Sequence, residues 1–91
     1  MRPVFYVSDG TGITAETIGH SVLAQFQGIE YRAHRIPFVD SMEKALHTAD
    51  IITRQQELAG KKAVVFTSLV DSDANAVIAG TGALMMDVLT P

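Results

Sequence analysis

Cysteine is absent from the 91 residues, so the chain has no disulfide framework, no thiolate metal site and no thiol nucleophile. Positive charge is scarce: seven Lys and Arg stand against ten Asp and Glu, for a formal net charge of −3. That balance excludes a dedicated nucleic-acid binder. Long apolar runs are missing too. Val4–Val7 and Ala83–Met86 are far too short to cross a bilayer. The start of the chain has one Arg and then Pro3, with no signal-peptide pattern, so a cytoplasmic protein with no membrane partner is expected. Low hydrophobicity is also absent. At 47% apolar and 19% charged residues, the composition excludes intrinsic disorder and fits a slightly apolar globule. A chain this short buries only about 60–65% of its unfolded surface, which means a single small domain over residues 1–91.

What is present alternates between two periods. Pro3–Ser8 is a β-prone apolar run that stops at the turn Asp9-Gly10-Thr11-Gly12. From Ile13 to about Phe26 the spacing is helical, with Ile18, Val22 and Phe26 on one stripe and Leu23 beside it. Glu30–Ile36 reads as a second strand, more polar and so nearer a sheet edge, closed by Pro37. A second helix starts with Asp40 as N-cap and Glu43 reaching back. Met42, Ala45, Leu46, Ala49 and Ile52 supply its buried stripe, and Gly60 stops it. Ala63–Leu69 is the clearest strand, Asp73–Ala79 a short helix, and Ala83–Leu89 a fourth strand. The order β-α-β-α-β-α-β predicts an open, Rossmann-like α/β fold with a four-stranded parallel sheet. The apolarity of the strands orders it 2-1-3-4.

In such sheets ligands bind beyond the carboxyl ends of the strands. Ser8, Asp9, Gly10, Thr11, Gly12 and Thr14 gather there after the first strand, making them candidates for binding a phosphate or other ligand. Gly10, Gly12 and Ala15 fit the G-x-G-x-x-A spacing that lets a backbone approach phosphate at a helix N-terminus. The plainer reading is a tight βα turn with Ser and Thr as caps. A dinucleotide site also wants an acid at the end of the second strand, where this chain has Arg35-Ile36-Pro37. Gly60-Lys61 precedes a strand and lacks the first glycine of a phosphate loop, so it is no Walker A motif. Asp9, Asp40 and Asp71 read as caps and turns more simply than as a Mg²⁺ or phosphoacceptor cluster. His20, His34 and His47 share no ligand spacing, and His20 and His47 each follow a glutamate by four residues, as helix-surface pairs do. No catalytic residue and no metal ligand is assigned. Gly19 within the first helix points to close helix–sheet approach.

Val4–Thr17, with the block Ser8-Asp9-Gly10-Thr11-Gly12-Ile13-Thr14-Ala15-Glu16, then Gly19-His20-Ser21 and Gln25-Phe26, resembles the opening of the phosphoenolpyruvate synthase regulatory proteins. These are the bifunctional kinase/pyrophosphorylase family. Ile36–Asp40, Glu43-Lys44-Ala45 and Val64–Val70 follow the same pattern in the same order. The resemblance implies a cytoplasmic regulator of phosphoenolpyruvate synthase, or of pyruvate, phosphate dikinase. It implies a serine/threonine kinase that uses ADP to phosphorylate a target threonine, and a pyrophosphorylase that removes the phosphate with inorganic phosphate. The family's G-x-x-x-x-G-K-[ST] loop lies beyond the region that matches, so no catalytic residue transfers to this chain. The expectation is an N-terminal domain, or a truncated piece, of a longer regulator. Alone it should be inactive, with the remaining C-terminal part as partner and self-association through the fourth strand's edge. The alternative is a free-standing α/β module that binds a phosphorylated metabolite or nucleotide.

Overall fold

Val4, Phe5, Tyr6 and Val7 are four consecutive buried positions, which requires a strand covered on both faces. In the computed structural model, which describes residues 1–89, they form the inner strand β1 (Arg2–Val7). After it come α1 (Ile13–Leu23), β2 (Tyr31–Ile36), α2 (Met42–Ala59), β3 (Val64–Thr67), α3 (Ser72–Ala79) and β4 (Leu84–Asp87). Every pairing is parallel and the order is β2-β1-β3-β4, as the strand polarity predicted. Val7 lies opposite Ile36 on one side and Thr67 on the other, so three strand ends stop at one level.

Right-handed crossovers then fix the layers. The step from β1 to β2 runs one way along the sheet, while the steps to β3 and β4 run the other way. The helix of the first step therefore lies on the opposite face from the other two. Phe5, Val7 and Val65 pack with Ala45, Ile52, Ala74 and Ile78 on the α2–α3 face. Val4, Tyr6 and Phe66 pack with Ala15 and Leu23 on the α1 face.

The helix faces differ from the expectation. Helix α1 turns Ala15, Gly19 and Leu23 to the sheet, and Ile18 (38% exposed) and Phe26 (57%) fall outside the core. The cause is the space available: a Cβ on Gly19 would lie 2.5 Å from Tyr6 Cε1 and 2.8 Å from Phe66 Cδ2. Two rings on the sheet surface leave room for small residues only, which bears out the close approach inferred at Gly19. Helix α1 also ends at Leu23, where Gln25 and Phe26 donate to Val22 and Leu23 in a tightened last turn.

In α2 the buried positions are Ala45, Thr48 and Ile52, while Met42 and Leu46 are exposed. Thr48 replaces them because its hydroxyl donates to the Lys44 carbonyl at 2.8 Å, which allows its burial. The N-cap is Ser41, whose Oγ accepts from the Lys44 N–H at 3.2 Å. Asp40 instead pairs with Lys44 Nζ at 2.9 Å. Gly60 ends α2 as expected. Helix α3 starts at Ser72, because the Asp71 carboxylate accepts from the Asp73 and Ala74 N–H groups. Strand β4 is shorter than the apolar run that suggested it.

Candidate functional site

The loops after β1, β2 and β3 meet at the carboxyl edge of the sheet and are joined by backbone hydrogen bonds. Ser8 N–H donates to the Ile36 carbonyl (3.1 Å) and Ser68 N–H to the Val7 carbonyl (2.9 Å). Phe38 N–H and Val39 N–H reach back to the Gly10 and Ser8 carbonyls, each at 2.8 Å. Consecutive N–H groups can aim at one loop because Phe38 adopts a left-handed conformation, φ 61°. A bulky residue rarely does so. The loop after β1 is thus held on both sides.

Each candidate residue has a definite place in this loop. Ser8 is buried, and its Oγ accepts from the Gly10 N–H at 3.0 Å. The Gly10 amide is therefore already used. Asp9 is exposed, and its Oδ2 accepts from the Val70 N–H at 3.4 Å, linking the first loop to the third. Thr11 and Thr14 are exposed at the mouth. Gly12 is the N-cap of α1 at φ 85°, a conformation that disfavours side chains, and it gives the helix no side-chain cap. The first-turn N–H groups of a helix have no intrahelical partner, so the N–H groups from Gly12 to Ala15 are what an anion would meet. Ser8, Asp9, Gly10, Thr11, Gly12 and Thr14 line one open cleft of about 340 Å³, with Ser68 and Val70 on its far side.

Arg35 stands near the strand end, where a dinucleotide site would have an acid. In the structure its stem packs on the loop: a Cβ on Gly12 would lie 3.0 Å from both Arg35 Cγ and Cδ. The parallel register would have shown this, since Arg35 pairs with Tyr6 two residues before Ser8. The site thus has the Arg35 stem against its helix-capping glycine. It also has Asp9, and Glu16 in the first turn of α1, which oppose a bound anion.

A second cleft, about 440 Å³, lies between the loops after β2 and β3 and is lined by Asp9, Asp40, Asp71 and Asp73 among others. Asp9 and Asp71 have the turn and cap duties expected of them, while the cap expected of Asp40 falls to Ser41. Asp71 caps α3, Asp9 holds Val70, and Lys44 holds the Asp40 carboxyl below the usual range, first through its hydrogen bond and then through its charge. Among the described residues, no three His, Asp or Glu side chains converge in a way that would hold a metal ion. Nor do the histidines converge. His34 on β2 stacks on Phe5 (centroids 5.5 Å apart), and His47 is exposed on α2. His20 lines a cleft between α1 and β2 with Tyr6, Glu16 and Tyr31. Burial there raises the Tyr6 phenol, and Tyr31 and Glu16 add to the shift.

Comparison with known proteins places this architecture. The kinase/pyrophosphorylase family profile matches residues 4–91. A Stenotrophomonas maltophilia (strain R551-3) protein named phosphoenolpyruvate synthase regulatory protein is 50% identical over all 91 residues, which make up 33% of its length. Proteins of the same name from Xanthomonas oryzae pv. oryzae (strain MAFF 311018) and Xylella fastidiosa (strain M23) are 50% and 48% identical, over the same shares. The chain spans about a third of the length of these relatives. No helix among the described residues is long and apolar enough to cross a membrane. With the family profile matched from the first strand onward, the chain belongs to the kinase/pyrophosphorylase family.

Proposed function

We propose that these residues form part of a cytoplasmic regulator that switches phosphoenolpyruvate synthase, or pyruvate, phosphate dikinase, off and on. In the forward direction the β-phosphoryl group of ADP passes to a target threonine Oγ, giving phosphothreonine and AMP, and the hydroxyl proton leaves to a base. In the reverse direction inorganic phosphate attacks that phosphoryl group, giving pyrophosphate and free threonine. The family match over residues 4–91 carries this reading.

The role of the Ser8–Thr14 loop is to hold a phosphate group of ADP or inorganic phosphate. Its support is the uncapped start of α1 at Gly12 with the Arg35 stem against it. Asp9 and Glu16 make this a positioning contact, since phosphoryl transfer needs net positive charge placed around the anionic phosphoryl group. No phosphate-loop lysine lies among the 91 residues, so they transfer nothing by themselves. The test incubates phosphoenolpyruvate synthase, ADP and Mg²⁺ with the 91-residue chain or with the full-length protein carrying it. Target inactivation is expected with the full-length protein alone. Inactivation by the 91 residues at a similar rate would put the chemistry within them and refute the assignment. Amide shifts on adding phosphate or ADP should centre on Thr11–Thr14. Shifts centred on His20, His34 and His47 would refute the loop's role.

A further inference from the structure

The two faces of the sheet are unequally covered. Four strands spaced about 4.8 Å apart make a surface roughly 15–19 Å wide, and a helix with its side chains is about 10 Å across. Each face therefore has room for two helices. The α2–α3 face has two, and its core is closed. The other face has α1 alone, packed over β1 and β3. Beside α1 is a cleft of about 250 Å³ with an almost wholly apolar lining. Val4 of β1, Tyr31 of β2, Phe66 of β3 and Leu84 and Met86 of β4 lie on its floor, and Val22 of α1 and Phe26 just beyond that helix wall it. Leu84 (51% exposed) and Met86 (42%) carry much of the open apolar surface.

We infer that this groove is the seat of a fourth helix, amphipathic and supplied by the part of the protein that the relatives carry and these 91 residues do not span. The relatives are three times as long, so there is ample chain to provide it. The open half of the face selects a helix: the sheet has width for two, and α1 fills one place over β1 and β3. The handedness of the fold selects which helix. Right-handed crossovers that extend the sheet beyond β4 would place their helices on the α2–α3 face. The occupant therefore follows the last strand of the sheet and turns back across it beside α1. It presents a stripe of Leu, Ile, Val or Ala side chains at three- and four-residue spacing. This inference rests on the proposal that the chain belongs to a longer regulator.

Methionine oxidation by hydrogen peroxide reads the groove without any substitution. Met86 and Met42 are equally exposed at 42%, and only Met86 lines the groove. In the 91-residue chain both should convert to the sulfoxide at similar rates. In the full-length protein, Met86 should react at least about tenfold more slowly than free methionine. Reaction within about threefold of free methionine would show the groove open and overturn the inference. Protection that disappears on dilution would identify a second copy as the occupant, which overturns it equally. Target inactivation measured on the same preparation separates the two proposals. A reactive Met86 in an active regulator fails the groove alone, and a protected Met86 in an inactive one fails the proposed activity alone.

Discussion

Gly19 is the residue at which sequence and packing meet most sharply. Glycine weakens a helix interior by about 1 kcal/mol relative to alanine, so Gly19→Ala should stabilise α1 considered in isolation. In the fold its new methyl would meet Tyr6 and Phe66 at 2.5–2.9 Å. Overpacking of this kind costs about 1–3 kcal/mol, and here the neighbours are ring atoms in the core with little freedom to move. Gly19→Ala should therefore lower the midpoint of urea unfolding. An unchanged or raised midpoint would mean that the rings can yield and that α1 sits less tightly than described. The same contacts explain why the buried face of α1 departs from its apolar periodicity. Helical periodicity assigns the largest apolar side chains to the core, whereas Tyr6 and Phe66 project so far that the helix surface over them must be nearly bare. In the site, Ser8 and Asp9 were legible as loop residues. The use of the Ser8 hydroxyl on Gly10 and the approach of Arg35 were not, because both depend on register between elements distant in sequence.

Among the elements, the start of α2 separates two neighbouring residues by their geometry. Ser41 accepts the Lys44 amide and Asp40 binds the Lys44 ammonium, so the cap and the ion pair are distinct. Loss of a Ser cap typically costs about 1 kcal/mol, while an exposed ion pair is worth little. Ser41→Ala should therefore destabilise the fold measurably and Asp40→Ala hardly at all. An equal loss from both would make Asp40 a cap as well. The pair has its own signature in pH. Lys44 holds the Asp40 carboxyl below its ordinary value. Whatever stability the pair adds is thus present above about pH 3.9, the unfolded carboxylate value, and fades as pH falls through the lower folded value. Lys44→Ala should return the Asp40 titration, followed by carboxyl chemical shift, upward to the ordinary range. Strands were the most legible elements, since Val4–Val7 and Val64–Phe66 are continuous apolar runs that suit only the interior of a parallel sheet. Helix ends were less so. Leu23 ends α1 three residues before Phe26, the end of the apolar stripe.

For the whole molecule, the placing of the first strand in the interior has a consequence for synthesis. β1 leaves the ribosome before both of its partners, β2 and β3, whose last paired residues are Ile36 and Thr67. Between those two points lie roughly thirty residues, or about 1.5–6 s of elongation at 5–20 residues per second. Throughout that interval one side of an apolar strand has no neighbour, a state prone to association with other chains. Ribosome-bound chains released for proteolysis at successive lengths should be digested rapidly until Thr67 has cleared the exit tunnel, and resist only afterwards. Resistance acquired as soon as Ile36 emerges would instead show that β1, α1 and β2 hold together as a unit. If the later step governs, the nascent protein spends seconds with its central strand half-paired, and its yield in the cell is set by what shields that edge during translation.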